Sequence, residues 1–353
     1  MIKYVQSKPI DYDHIQKLLN RSVQAHTFTN GGPVKQLLEK RLEELFQLDH
    51  QYRVICTNNG TSALYVLMSM FEKLASKHLT WGTPAFNFPA ATVNKLNTSI
   101  FDIKIEETTD FIGYSIPINI IKELNYDGYI IPSLFGTMPT NFPEFEKYCL
   151  DHNKLLIWDN ASSPLTTNKE SGKNINSFGS ASMGSLHHTK YIGVGEGGFV
   201  VVPSEFYDLF TQLTNFGFTD DRKYNNIASN AKISDISAAF ILSHIEQYSV
   251  GRHLVIQQKY IEAIKNIQGV KVFNNSPDWL IVYGNMPVCF DKLTSHLSFR
   301  DVGVEANKYY KPLKSFPNSD ALFARIINLP LHSFLTDYDL SLILKKVETE
   351  AKK

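Results

Sequence analysis

Cysteine is scarce. Cys56, Cys149 and Cys289 are the only three among 353 residues. They form no CxxC pair, which argues against a zinc ribbon or a redox dithiol. Their odd number and wide spacing fit a reducing compartment. Long apolar runs are missing too. Nowhere do about 18 apolar residues follow one another, the length a spanning helix needs. Met1 to Gln16 mixes Lys, Asp and His with apolar residues and holds no continuous apolar leader segment. Net charge is also lacking: 35 Lys+Arg balance 35 Asp+Glu, with a pI near 7.2. Basic residues are scattered, so nothing supports a nucleic-acid or polyanion partner. Repeats and low-complexity segments are absent. What remains reads as a soluble, cytoplasmic protein that engages neither membrane nor nucleic acid. At 43% hydrophobic and 20% charged residues, it can bury a sizeable core. Its length suits one large domain plus a smaller one.

Helix and strand signals alternate from about residue 33 to 245. Pro33 after Asn30-Gly31-Gly32 marks a helix start. Val34, Leu37, Leu38, Arg41, Leu42, Leu45 and Phe46 then keep a 3.6-residue period, with Arg41 the only polar member. The apolar run Val54-Ile55-Cys56 ends at Thr57-Asn58-Asn59-Gly60-Thr61-Ser62, and a second helix follows with Leu64, Leu67, Met68 and Phe71 on one face. Tyr129-Ile130-Ile131 and Leu155-Leu156-Ile157-Trp158 read as strands ending at Pro132-Ser133 and at Asp159, with a helix from Phe142 to Asn153 between them. Phe199 to Val202 is a further apolar strand. Strands apolar on both faces and spaced by helices argue for an α/β fold with a mostly parallel, doubly covered sheet. The pattern changes after Ser249. The expected organisation is an N-terminal arm (1–30), a large α/β domain (31–249) and a small C-terminal α+β domain (250–353).

A lone lysine is normally a solvated charge. Lys190 has other company: Ser185-Leu186-His187-His188-Thr189 before it, and Gly193-Val194-Gly195-Glu196-Gly197-Gly198 after it. An amine held there can lose its proton and act as a nucleophile. Gly193, Gly195 and Gly198 fit GxGxxG, yet a dinucleotide fingerprint follows a strand and opens a helix. This run precedes a strand, so it reads as a hairpin turn rather than a Rossmann site. Asp159 ends an apolar strand, where open α/β sheets bind ligands. It is either a turn residue or a carboxylate for a pyridinium nitrogen. Asn59-Gly60-Thr61-Ser62 at a helix start is either a cap or a phosphate site. Phe88, in Pro84 to Ala90, is either core or a platform for a flat cofactor. Adjacent His187 and His188 lack the i, i+4 spacing of a helical metal pair, so no metal site is expected.

In this order, the segments resemble the DegT/DnrJ/EryC1/StrS family of sugar aminotransferases, which are fold type I pyridoxal phosphate (PLP) enzymes. The resemblance runs from Gly32-Pro33-Val34-Lys35-Gln36-Leu37-Leu38-Glu39 to Leu329-Pro330-Leu331-His332 with Leu335-Thr336. Its most specific part is Ser185 to Lys190 followed by Gly195-Glu196-Gly197-Gly198, similar to the family's S-F-H-x-T-K…G-E-G-G. The resemblance implies that Lys190 carries the cofactor as a Schiff base and shuttles the proton, while Asp159 pairs with the ring nitrogen. Gly60, Thr61 and Ser185 would hold the phosphate, with Phe88 over the ring. Asn230 would reach the phosphate of the neighbouring subunit, making a homodimer with shared sites. Asn215-Phe216-Gly217 is similar to the family's N-H-G turn.

Departures are visible. The family's D-A-A-Q is here Asp159-Asn160-Ala161-Ser162, so Ser162 replaces a Gln that commonly contacts the ring hydroxyl and is a candidate cofactor contact in a rearranged form. Ser133-Leu134-Phe135-Gly136 stands for H-L-Y-G, and Lys232 stands where Arg is common. The resemblance implies transfer of an amino group from L-glutamate, through pyridoxamine phosphate, to a nucleotide-linked keto-sugar. Lys308-Tyr309-Tyr310-Lys311-Pro312 is similar to the R-Y-F-Y-P of viosamine-type enzymes. That similarity implies amination at C4 of a 4-keto-6-deoxyhexose, giving an NDP-4-amino-4,6-dideoxyglucose. His187, Tyr309 and Tyr310 are the candidate substrate contacts. Two other readings are amination at C3 of a 3-keto-sugar nucleotide, and a PLP-fold binding or regulatory protein without turnover.

Overall fold

The computed structural model describes residues 1–93, 98–109, 111–274 and 276–353. A seven-stranded sheet dominates. Its order is Tyr52–Thr57, Gly198–Pro203, Ala181–Ser185, Leu155–Asp159, Gly128–Pro132, Trp81–Pro84 and Thr98–Phe101. Six strands run parallel, and Gly198–Pro203 alone runs against its neighbours. That exception is the hairpin partner of Ala181–Ser185, as the glycine run leads one to expect.

Side-chain alternation explains the double cover. In Leu155–Asp159, Leu156 and Trp158 join one core while Ile157 joins another. In Gly198–Pro203, Phe199 and Val201 face one layer while Val200 and Val202 face the opposite one. Ile157 is fully buried, and such burial stabilises by about 2 kcal/mol. The helix Gly60–Ala75 covers one face through Leu64, Leu67 and Met68. The helix Pro33–Leu45 lies on the other through Val34, Leu38 and Leu42.

That second helix starts at Pro33 as expected, but Gly32 supplies no side-chain cap. The cap comes from far along the chain. Asp235, fully buried, accepts from Val34 N (3.1 Å), Lys35 N (2.9 Å) and Ser22 Oγ (2.6 Å). Gly32 is required there because a Cβ would run into the Asp235 carboxylate.

A five-stranded sheet packs beyond the large one, in the order Ile326–Leu329, Met286–Phe290, Val270–Phe273, Phe111–Ser115 and Lys104–Glu107. It takes two strands from before residue 250, and Phe111–Ser115 pairs in parallel with Val270–Phe273. The N-terminal arm spans both regions. Ile2 pairs with Val304, Lys3 meets Glu305 at 2.6 Å, and the helix Tyr12–Gln24 lies against Asp235–Gln247. Among the described residues no helix is long and apolar enough to cross a membrane.

Candidate active site

The strands Tyr52–Thr57, Leu155–Asp159 and Ala181–Ser185 are mutually parallel, so their C-terminal ends lie on one edge of the sheet. A cavity of about 820 Å³ opens there. Gly60, Thr61, Phe88, Asp159, Ser162, Ser185, His187, Lys190, Tyr309 and Tyr310 all line it. Ten of the eleven residues singled out from the sequence therefore converge on one space.

Lys190 sits in the hairpin loop between Ala181–Ser185 and Gly198–Pro203. Leu186 N donates to Gly197 O (2.8 Å) and His188 N to Gly195 O (2.9 Å), which closes the loop on itself. Gly195 has φ +65°, a conformation that favours glycine. Burial pulls the Lys190 amine below its ordinary value, and Asp159 opposes that pull. An amine so placed is more often neutral than a surface lysine.

Asp159 ends its strand with 5% of its surface exposed. Ala161 N donates to its Oδ1 at 3.0 Å, so the turn role weighed from sequence is present. Burial raises its pKa; the Ala161 hydrogen bond and the Lys190 charge pull it back. Its cavity-facing position leaves it available to a cationic partner as well.

At the start of Gly60–Ala75 the cap is Asn59, whose Oδ1 accepts from Ser62 N at 2.8 Å. The cap thus takes Ser62 and leaves the Gly60 and Thr61 N–H groups at the positive end of the helix. A Cβ on Gly60 would stand 3.1 Å from Met183 Cε and 3.2 Å from Gly184 O. Gly198 lies so close to the Asn59–Gly60 peptide that any side chain there would collide with it. Glycine at both positions keeps the cradle tight beside Ser185.

His187 is held by Thr189 (Nδ1 to Oγ1, 2.9 Å) and approaches Glu196 at 3.5 Å. Burial lowers its pKa, with the Glu196 charge opposing. Phe88 is 55% exposed and meets the Tyr310 ring edge-on at 6.2 Å.

Asn230 is the exception. It is exposed and does not line this chain's cavity. Its Oδ1 accepts from Lys232 Nζ at 2.6 Å, and Lys232 also donates to Asn215 at 2.7 Å above the Phe216 ring.

Three residues behind the site carried no recognisable signal. Lys8 Nζ donates to Lys190 O at 2.7 Å. Gln6 Nε2 and His244 Nε2 converge on Tyr191 O at 2.9 and 2.8 Å. Burial brings Lys8 down to about 7. Burial, helped by the Lys8 charge, takes His244 down to about 4. His244 is therefore neutral at pH 7, and a proton on its Nε2 suits the short contact with the Tyr191 carbonyl, which only accepts. These groups fix the backbone that bears the Lys190 amine. They come from distant segments without a shared spacing, so only a three-dimensional contact could reveal them.

Comparison with known proteins follows the same lines. The model of the DegT/DnrJ/EryC1/StrS aminotransferase family matches residues 9–348. The dTDP-4-amino-4,6-dideoxy-D-glucose transaminase of Shigella dysenteriae is 26% identical over 356 residues, covering 91% of each chain. The GDP-perosamine synthase of Vibrio cholerae is 23% identical over 237 residues, 66% of this chain and 62% of that protein. Among solved structures, a candidate sugar aminotransferase of Streptococcus pneumoniae in its PMP form superposes with a TM-score of 0.83 at 18% identity, covering 99% of this chain and 98% of that one.

Proposed function

This chain belongs to the DegT/DnrJ/EryC1/StrS aminotransferase family, and we propose that it moves an amino group from L-glutamate to C4 of a nucleotide-linked 4-keto-6-deoxyhexose. The observation that carries this reading is the Lys190 amine, held below its ordinary pKa by burial, sharing one cavity with the buried Asp159 carboxylate and a helix-start anion cradle. The Shigella relative, named for 4-amino-4,6-dideoxy-D-glucose, supports the C4 assignment.

The cofactor is pyridoxal phosphate, and the residues fit it. Gly60, Thr61 and Ser185 would take the phosphate, Asp159 the ring nitrogen, and Phe88 one face of the ring. When bound, PLP supplies an electron sink that makes the donor's Cα–H acidic. The chain does the rest. Asp159 stabilises positive charge within the cavity, where it is already desolvated. Lys190 Nζ, whose proton burial makes easier to lose, accepts the Cα proton and passes it on within the same enclosure. The keto-sugar is aminated by the reverse sequence. The three thiols are free and buried, which suits a cytoplasmic enzyme.

The reading includes a homodimer with shared sites. The ligands are anionic: a phosphate, the two carboxylates of glutamate and a diphosphate. Yet the cavity lining carries Asp159, Glu196 and Glu305 against Lys190 and His187 alone. A partner subunit would supply what is missing, and the exposed Asn230–Lys232 cluster is the natural donor. Asn230→Ala should weaken PLP binding about tenfold, the value of one lost hydrogen bond to a charged group. Mixing Lys190→Ala with Asn230→Ala subunits should restore some activity through sites that keep both groups. A fully active monomer in the ultracentrifuge would refute the shared site.

The activity itself is tested by incubating the holoenzyme with glutamate and a panel of 4-keto-6-deoxy and 3-keto-6-deoxy nucleotide sugars. Mass spectrometry and NMR should find nitrogen at C4. Nitrogen at C3 would move the assignment. A yellow protein that glutamate does not bleach would instead indicate a binding protein.

A further inference from the structure

Two hydroxyls remain unexplained by this account: those of Ser162 and Tyr310. Both line the cavity. Strand order says on which side. Gly60 and Ser185 follow Tyr52–Thr57 and Ala181–Ser185, on one side of Leu155–Asp159 in the sheet. Tyr310 packs on the other side. Its ring lies parallel to Phe135 (centroids 5.5 Å, 3°) and meets Phe86 and Phe88 edge-on, both at 6.2 Å. Phe135 follows Gly128–Pro132, and Phe86 and Phe88 follow Trp81–Pro84, the next strands beyond Asp159. Tyr310 and the phosphate cradle therefore flank Asp159 from opposite sides.

PLP has the same layout. Its ring nitrogen lies opposite the carbon that meets the lysine. The phosphate arm and the phenolic oxygen leave on opposite flanks. With Asp159, Lys190 and the cradle each assigned, the remaining flank holds Tyr310 and Ser162. We propose that the Tyr310 hydroxyl, paired with that of Ser162, donates to the cofactor's phenolic oxygen, so that Tyr310 is a cofactor-binding residue rather than a sugar contact. The inference rests on the PLP reading given above.

Several features suit Tyr310 to this task. Burial and then the Asp159 charge raise its pKa, while a hydrogen bond with Ser162 opposes them. The phenol thus stays protonated and able to donate. The serine side chain is short; its one proton goes to the Tyr310 oxygen, which leaves the Tyr310 proton for the cofactor. Gly284 packs so closely on Ser162 that a side chain at 284 would collide with it. Phe135, the residue against which the Tyr310 ring lies, is fully buried with φ +59°. A phenylalanine in that region costs about 1–3 kcal/mol, and such strain gathers at sites where a neighbour must be held in place.

The test needs neither glutamate nor sugar. Wild type, Tyr310→Phe, Ser162→Ala and the double variant are reconstituted with PLP and followed by absorbance against pH, with PLP affinity measured in parallel. Tyr310→Phe keeps the ring and its stacking and removes only the hydroxyl. A donor to the phenolate favours release of the proton that oxygen shares with the lysine nitrogen. Without it, the pH at which the yellow band is lost should rise by about one unit. PLP affinity should fall about tenfold. The double variant should lose less than the product of the two single losses, because the hydroxyls act as a pair. An unchanged midpoint and affinity in Tyr310→Phe, with a raised KM for the keto-sugar, would overturn the inference and return Tyr310 to the substrate. A wild-type chain that takes up no PLP would overturn the cofactor reading itself, and this proposal with it.

Discussion

Lys190→Ala should abolish transamination, with turnover reduced by more than about 10⁴-fold, because the same amine serves as nucleophile and proton carrier. Lys190→Arg should be nearly as inactive, since a guanidinium remains charged at any working pH. Borohydride reduction of the wild-type holoenzyme followed by peptide mapping gives the direct check: the pyridoxyl group should be found on the peptide containing Lys190. The experiment has a real competitor. Lys8 is partly buried, and its pKa is brought down to about 7, so it is partly neutral near pH 7. Geometry separates them. Lys8 does not line the cavity, and its Nζ is engaged by the carbonyl of Lys190. A pyridoxyl adduct on Lys8 would overturn the assignment.

Asp159→Asn should keep the fold and much of the cofactor while losing about 10²–10³ in turnover, the scale of removing one preorganised electrostatic partner. Asparagine has nearly the same volume, and its carbonyl oxygen can still accept from Ala161 N. What disappears is the negative charge that stabilises a protonated ring. Burial makes that charge costly to keep in the free enzyme, as the raised Asp159 pKa shows. It also makes the charge effective once a cation is opposite. Stopped-flow absorbance of the glutamate half-reaction separates the roles. A slow variant that still takes up PLP supports the charge role. Near-wild-type rates would reduce Asp159 to its turn with Ala161.

The legible parts of this chain were those set by local pattern. Leu155 to Trp158 announced a strand buried on both faces, and its last residue fell at the edge where ligands bind. The glycines from 193 to 198 announced a hairpin, because a strand followed them and no helix did. The Ser185–Lys190 segment carried the chemistry in six consecutive residues. Long-range pairing was not legible. Phe111–Ser115 is an ordinary strand whose parallel partner lies beyond residue 269, and no local rule foretells it. Asp235 caps a helix that begins some 200 positions earlier. Gln6 and Lys8 sit in an arm whose composition says nothing, since the carbonyls of Lys190 and Tyr191 give their placement its meaning.

That arm also bears on how the molecule comes together. Tyr4 and Val5 form part of the cavity wall, and the neighbouring Lys3 is bound to Glu305 across 302 positions of sequence. Closing so long a loop is entropically costly and brings little until the pieces on either side are formed. Apart from Tyr52–Thr57, which must find Gly198–Pro203 far along the chain, the central sheet can gather from strands nearer in sequence. The wall waits for the two ends of the chain to meet. Assembly and competence are therefore separable in time: a nearly complete sheet would already hold Lys190 and Asp159, yet remain open to solvent on the side where its substrate must be enclosed.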